Sequence, residues 1–183
     1  MKFTTRQITV AGLLSALTVV LGVTGMGLLP VPTPAIFATI MHIPVILGGV
    51  LEGPMIGGFV GLLFGLFTLT AVPDPRIVIP ARLVIGLVSY LVYRTSLRFL
   101  GRQADSQGKL SVRFATAGAL AGLFGTVTNT VGTLTLAVIF DYINVPVALG
   151  IAASNGIPEA IIAALIVGAL MSVLGPMYDR RSR

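Results

Sequence analysis

The sequence has no cysteine, no tryptophan, only one histidine and few charged residues. The lack of cysteine excludes disulfides, thiolate metal sites and cysteine nucleophiles, and one histidine cannot supply the several ligands that a zinc site needs. We therefore expect no metal site and no cofactor. Charged residues make up only 10% of the 183 residues, whereas a soluble domain carries roughly 25%. Water is therefore not the main solvent of this chain.

Apolar sequence is what the chain has in abundance, since 55% of its residues are hydrophobic and its mean hydropathy is +1.00. A membrane-spanning helix needs about 20 apolar residues, so the length suits about six spans. We predict an all-α integral membrane protein in which residues 1–183 form a single domain of six transmembrane helices. The expected spans are Ile8–Leu28, Ala35–Leu51, Met55–Ala71, Ile77–Leu97, Phe114–Ile139 and Ala148–Leu174.

The positions of lysine and arginine predict how the bundle is oriented. Of the 12 basic residues, only Arg76 and Arg82 lie toward one side of the six-span arrangement, and the rest lie on the other side. Because cytoplasmic loops carry the excess of Lys and Arg, both termini are predicted to be cytoplasmic. The basic residues cluster at helix ends, where they suit anionic lipid headgroups. The lipid bilayer is therefore an expected partner and nucleic acid is not.

A few strongly polar residues fall inside the predicted spans. Charged or amide side chains at membrane depth cost several kcal/mol unless they face a partner or a water-filled cavity. At about 1.5 Å per helical residue, these residues all lie in the outer half of the membrane, with His42 about 10 Å deep. The clustering favours one polar cavity that opens outward. Its members are His42, Arg82, Asn129, Asn155 and Glu159.

Helical periodicity places several of these residues on shared faces. On the sixth helix, Asn155 and Glu159 are four residues apart and share a face, and Pro158 between them frees a backbone carbonyl one turn earlier. On the fifth helix, hydroxyl and amide side chains recur at i, i+3, i+4 and i+7, the spacing of one helix face. They are Thr126, Asn129, Thr130 and Thr133.

The fourth helix carries Arg82, Ser89 and Tyr93 on roughly one side. Other interpretations remain open: Arg82 and Glu159 form a purely structural ion pair, Arg82 snorkels to the surface, the threonines bond their own backbone, or His42 is a packed core residue. The candidate solute-binding residues are His42, Arg82, Tyr90, Thr126, Asn129, Thr130, Asn155 and Glu159.

Small residues also recur at helical spacing. They let helices approach closely in a membrane, so a run of glycines at every fourth residue predicts internal packing of the third helix. A similar pair in the first helix, Gly12 and Ala16, is suited equally to a partner protein. The glycines of the run are Gly49, Gly53, Gly57, Gly61 and Gly65.

Four stretches of the sequence together resemble a known family. They are MHIPVILGGVLEGPMIGGFVGLLFGL, PARLVIGLVSYLVYR, GTVTNTVGTL and NGIPEAIIAA. In order and spacing they are similar to the substrate-binding S component of energy-coupling factor (ECF) vitamin transporters. Their TVTNT and NGIPE segments most resemble the pantothenate-type members.

The resemblance implies a multi-pass protein of the prokaryotic plasma membrane that is not an enzyme. It would capture a vitamin or vitamin precursor from outside and deliver it with a transmembrane coupling subunit and two ATPase subunits. Gly12 and Ala16 would contact the coupling subunit, and the segment LPVPTP would be part of a lid. For pantothenate, Arg82 would bind the carboxylate, while Glu159 would accept a hydrogen bond or hold Arg82 in place. Amides and threonines would bind the hydroxyls and the amide.

Three alternatives stay open. The same architecture could take another small metabolite, such as folate, riboflavin or a pyrimidine precursor. A stand-alone secondary carrier would use Glu159 or His42 to carry protons. A membrane enzyme or assembly scaffold would need a nucleophile–base pair or a metal cluster, and the sequence shows neither.

Overall fold

The computed structural model describes residues 3–30, 37–101 and 107–181. It confirms the predicted membrane bundle of six helical segments, and it adds a short two-stranded hairpin. The elements are α1 (Thr5–Val23), β1 (Leu28–Pro30), β2 (Phe37–Thr39), α2 (Ile43–Glu52), α3 (Pro54–Thr68), α4 (Pro75–Phe99), α5 (Gln107–Ile139), α6 (Val145–Ile151), a π-helical turn (Ala152–Gly156) and α7 (Ile157–Arg181).

Four stretches of the described ranges are long and apolar enough to cross a membrane. Two of them are α1 and α4; the third lies within α5, and the fourth joins α6, the π turn and α7 into one span. The remaining helices, α2 and α3, are shorter and apolar. They follow each other directly and meet at Gly53, whose φ of 99° makes the turn between them.

Helix α1 begins and ends earlier than predicted. Its first turn is fixed by a capping box, in which Thr4 and Gln7 each accept a hydrogen bond from the other's backbone N–H. The prediction that this helix runs to Leu28 was wrong. Gly25 has a φ of 71°, a left-handed conformation in which a right-handed helix cannot continue, and Leu28 begins strand β1 instead.

The prediction that the second helix starts at Ala35 was also wrong, because it starts at Ile43. Pro44 explains the difference: proline is tolerated in the first turn of a helix but not in its interior. The preceding strand β2 pairs antiparallel with β1, with Thr39 opposite Leu28. Most of the predicted LPVPTP lid lies outside the described residues.

The other boundaries differ less from the prediction. Helix α3 ends at Thr68, three residues early, and α4 is extended at both ends, with Asp74 as its N-cap. Helix α5 begins at Gln107 rather than at Phe114, so part of the predicted polar connection is helical. Residues 102–106 of that connection lie outside the described ranges.

The glycine run packs internally, as predicted, but against two other helices. A Cβ added at Gly57 would lie 2.8 Å from the Cα atoms of Gly49 in α2 and Gly86 in α4. Gly61 faces the backbone carbonyl of Arg82, and Gly65 packs on Ile79. Helices α2, α3 and α4 therefore touch backbone to backbone, as small residues permit.

A π-helical turn interrupts the last span at Ala152–Gly156, immediately before Pro158. Proline lacks the N–H that would bond to the carbonyl of Ser154, and its ring clashes with that carbonyl in a regular α-helix. A wider π turn relieves the clash. The sequence predicted that Pro158 frees a carbonyl one turn earlier, and the π turn occupies that turn.

A polar cluster that the sequence did not indicate joins three helix ends. The fully buried carboxylate of Glu52 lies 3.0 Å from Nε of Arg6 and accepts a hydrogen bond from the Tyr178 hydroxyl at 3.2 Å. The Arg6 guanidinium also lies 4.7 Å from the centre of the Tyr178 ring. This cluster ties the start of α1 and the end of α7 to the end of α2.

Candidate solute-binding site

Arg82 is held inside the bundle by two neighbouring helices. Its side chain is 6% exposed, its Nη1 donates a hydrogen bond to Thr133 of α5, and its guanidinium lies 4.7 Å from the centre of the Phe64 ring in α3. The Thr133 hydroxyl donates in turn to the backbone carbonyl of Asn129. Arg82 therefore does not snorkel to the surface, and that interpretation was wrong.

Glu159 binds the hairpin and not the arginine. It is 7% exposed, and its Oε1 accepts a hydrogen bond from the backbone N–H of Thr39 at 2.6 Å. Within the described ranges, the ion pairs with N–O distances of at most 4.0 Å are Arg6–Glu52 and Arg76–Asp74. The alternative in which Arg82 and Glu159 form a structural ion pair was therefore wrong.

His42 is fully buried and lies against α5. Its Nε2 is 2.9 Å from the hydroxyl of Thr126, which also donates to the carbonyl of Gly122. Thr126 precedes the end of α5 at Ile139 by 13 residues, a distance of about 20 Å along a helix. His42 therefore contacts α5 well before the end of that helix, at the level where α2 begins.

The amides lie where the sequence predicted them, on buried faces. Asn129 is buried between the level of Thr126 and that of Thr133 on α5. Asn155 is buried within the π turn and accepts a hydrogen bond from the Ser154 hydroxyl at 3.1 Å. Because the backbone N–H of Thr39 bonds to Glu159 in the next turn of this span, the hairpin lies close to Asn155.

Thr130 and Tyr90 are set apart from these contacts. Thr130 is half-buried and lines an apolar groove of about 280 Å³ between α5 and the π turn, with Val131 and Ile161 as exposed walls. Tyr90 is half-buried, and its ring centre lies 5.8 Å from the guanidinium of Arg94. Neither residue has a described contact with Arg82 or His42.

Two further residues of the predicted polar face on α4 also lie outside the site. Ser89 packs against Gly125 of α5, and Tyr93 belongs to the apolar core. Both are buried as predicted. They lie two and three turns beyond Arg82, at the level where α4 and α5 pack together.

Three polar atoms at this location are buried without a hydrogen-bond partner within the described ranges: Nδ1 of His42, Nε of Arg82 and Oδ1 of Asn129. Buried polar atoms are hydrogen-bonded in the great majority of cases, so such a group requires an explanation. A cation with a spare donor, an amide oxygen and an imidazole nitrogen along one helix suit a small solute that carries both an anionic group and hydrogen-bond donors.

The sequence did not identify three groups that complete the site. Thr133 belonged to the polar stripe predicted on α5 (Thr126, Asn129, Thr130 and Thr133), and its i+7 position could have identified it as a site residue. Phe64 lies on α3, whose sequence is almost entirely apolar, and the position of the Thr39 N–H depends on strand pairing. Neither residue could therefore be identified from the sequence. The described ranges contain no group of three His, Cys, Asp or Glu side chains that could hold a metal ion.

Two comparisons with known proteins bear on this site. The pantothenic acid transporter PanT of Lactococcus lactis subsp. cremoris (strain MG1363) is 29% identical over 166 residues, which cover 74% of this chain and 76% of that protein. The family model described as "ECF transporter, substrate-specific component" matches residues 6–171. A transporter family of this kind, with a bundle of apolar helices, places the chain in the prokaryotic plasma membrane as a multi-pass transport protein and not an enzyme. The chain belongs to the family of ECF transporter substrate-specific components.

Proposed function

We propose that this protein captures pantothenate from outside the cell and that Arg82 binds the carboxylate of the vitamin. The observation that carries the proposal is a buried guanidinium with an unpartnered Nε and no carboxylate within 4.0 Å in the described ranges. The likeness to a protein named as a pantothenic acid transporter supports the choice of vitamin.

The chemistry of the site suits a ligand of this type. An arginine–carboxylate contact is a charge-assisted hydrogen bond, which is roughly twice as strong as a neutral one. Thr133 and Phe64 hold the guanidinium in place without neutralising its charge, so the arginine need not leave an acidic partner when the solute arrives. In this proposal, Asn129 and Asn155 bind the amide and hydroxyl groups of pantothenate.

The first prediction tests the carboxylate contact. Titration calorimetry on the purified protein should show that Arg82→Gln weakens pantothenate binding by about tenfold to more than a hundredfold, because a hydrogen bond to a charged group contributes about 1.5–3 kcal/mol. Panthenol, in which an alcohol replaces the carboxylate, should bind wild type much more weakly than pantothenate does. The variant should lose most of that preference.

The matched control is Arg76→Gln. Arg76 is an exposed arginine that pairs with Asp74 at the start of the same helix, so its loss removes the same charge without touching the site. Pantothenate affinity should stay at the wild-type value. Undiminished binding by Arg82→Gln would contradict the carboxylate role, and tight binding of folate or riboflavin in place of pantothenate would contradict the choice of vitamin.

We also propose the remaining features of the transporter. Residues 1–183 form one domain with both termini in the cytoplasm, and the protein works with a transmembrane coupling subunit and two ATPase subunits. Gly12 and Ala16 are exposed on α1, and a Cβ added at Gly12 would meet nothing within 4 Å. This open surface supports the assignment of both residues to the contact with the coupling subunit.

A further inference from the structure

The polar stripe on α5 gives the site two chemically different ends. Thr126 and Thr133 are seven residues apart and therefore about 10 Å apart along the helix. Thr126 contacts His42 at one end, Thr133 contacts Arg82 at the other, and Asn129 lies between them. The cation and the imidazole are thus held at opposite ends of one polar strip.

Thr126 links the imidazole to the backbone of α5. Its hydroxyl has one proton and lies 2.9 Å from both the carbonyl of Gly122 and Nε2 of His42. With that proton on the carbonyl, as in the i−4 back-bonds of the other α5 threonines, the hydroxyl accepts from Nε2, and Nε2 carries the proton of the imidazole. In a neutral imidazole the other nitrogen, Nδ1, is then an acceptor without a proton.

Nδ1 of His42 does not cap helix α2, which is the usual structural role for an acceptor at this position. His42 is the N-cap residue of α2, where a side chain usually accepts a hydrogen bond from the first turn, but it makes no such bond. Pro44 removes one of the backbone donors of that turn. Nδ1 is buried and has no partner within the described ranges.

We infer that His42 accepts a hydrogen bond from a hydroxyl group of the solute, and that the solute lies along α5 with its carboxylate at Arg82 and its hydroxyls at His42. This inference rests on the proposed function. Pantothenate carries its carboxylate at one end and its two hydroxyls at the other, with the amide between. The reverse orientation would bring a carboxylate oxygen against a bare nitrogen lone pair, and two acceptors cannot bond to each other.

The test uses the fact that the chain has one histidine. In protein labelled with ¹⁵N-histidine, each nitrogen resonance belongs to His42 without further assignment. The ligand-free protein should show a protonated Nε2 and a bare Nδ1. Saturation with pantothenate should shift the Nδ1 resonance in the direction of hydrogen bonding.

A matched ligand separates the two ends of the site. N-(3,3-dimethylbutanoyl)-β-alanine keeps the carboxylate and amide of pantothenate but lacks both hydroxyls. It should bind at least about tenfold more weakly, since it leaves a buried acceptor unpaired, and it should leave the Nδ1 resonance unshifted. In Thr126→Val, which removes the hydroxyl that fixes the imidazole, Nδ1 should take up a proton in part of the population.

The outcomes distinguish the inference from the proposed function. A protonated Nδ1 in the ligand-free protein, or pantothenate binding without a shift of the Nδ1 resonance, would overturn the inference and leave the proposed function standing. Absence of pantothenate binding would overturn both.

Discussion

An arginine and a glutamate are buried in the same bundle without forming an ion pair with each other. Arg82 is held by a threonine hydroxyl and an aromatic ring, and Glu159 accepts from the backbone N–H of Thr39. Breaking a buried ion pair by removing one partner costs about 3–5 kcal/mol. Because Thr133 and Phe64 hold the guanidinium, the proposed anionic solute would displace no carboxylate from Arg82.

The threonine that holds Arg82 gives a prediction at this scale. Thr133→Val removes the acceptor of the arginine hydrogen bond and nearly conserves the volume of the side chain. Pantothenate affinity should fall by about threefold to tenfold, because a neutral hydrogen bond contributes about 0.5–1.5 kcal/mol. Titration calorimetry of the purified variant would measure the change.

Thr116→Val provides the comparison for this variant. Thr116 is exposed on the same helix, and its hydroxyl donates to the carbonyl of Val112, so the substitution is chemically identical but remote from Arg82. Its affinity should equal that of wild type. Equal losses in the two variants would show that the effect does not come from holding the guanidinium.

Single residues were predictable from the sequence where helical spacing determined their direction. The stripe from Thr126 to Thr133 came from an i, i+3, i+7 pattern, and its two ends now contact His42 and Arg82. The role of Glu159 as a partner of β2 was not predictable, because it depends on a strand 120 residues away. Tyr90 stays a prediction: its described contact is with Arg94 of its own helix.

At the scale of elements, close glycine contacts hold α2, α3 and α4 together. Gly57→Ala should lower the thermal stability of the purified protein, because the new methyl group would lie 2.8 Å from backbone atoms of both neighbouring helices. Overpacking of this kind typically costs about 1–3 kcal/mol, which exceeds the gain of about 0.5–1 kcal/mol from replacing a helical glycine. Thermal unfolding in detergent would measure it.

Gly12→Ala is the control for the thermal stability of Gly57→Ala. Its added methyl group would meet nothing within 4 Å, so Gly12→Ala should leave the melting temperature unchanged or raise it slightly. A melting temperature for Gly57→Ala as high as that of Gly12→Ala would mean that the glycine contacts do not determine the packing.

The prolines show how far the sequence could predict the elements. Pro158 predicted a freed carbonyl one turn earlier, since a missing donor acts within one turn, and the structure has a π turn at that position. Pro44 carried an equally local signal, a helix start, which the prediction of one long second helix overlooked. The hairpin was beyond local rules, because its strands are three residues long and pair across a proline-rich segment.

At the scale of the whole molecule, composition and the spacing of apolar runs were enough to predict a membrane bundle. The predicted site, by contrast, drew on the last three spans and on His42 of the second span. The structure adds Thr39 of β2 and Phe64 of α3, which contact Glu159 and Arg82. These two contacts depend on strand pairing and on the packing of α3 against α4, which no periodicity in the sequence expresses.

The proposed assembly gives a prediction at this scale. Gly12→Leu places a large side chain on the exposed part of α1, so it should reduce co-purification with the coupling subunit when the subunits are co-expressed. Pantothenate binding by the isolated protein should not change, because Gly12 is remote from Arg82 and His42.

Leu13→Ala is the control variant, because Leu13 is also exposed on α1 and this substitution makes the side chain smaller. It should retain the coupling subunit better than Gly12→Leu does. Full recovery of the coupling subunit with Gly12→Leu would rule out Gly12 as part of the contact.

The lipid-exposed side of α1 affects how long a complex between this protein and a coupling subunit would last. Only 11% of its most apolar stretch is buried, so lipid tails cover it whenever no protein does. A protein that docks there exchanges one hydrocarbon neighbour for another and gains little from leaving the lipid. The lifetime of the proposed attachment to the coupling subunit is then set by how well the two helix surfaces fit together.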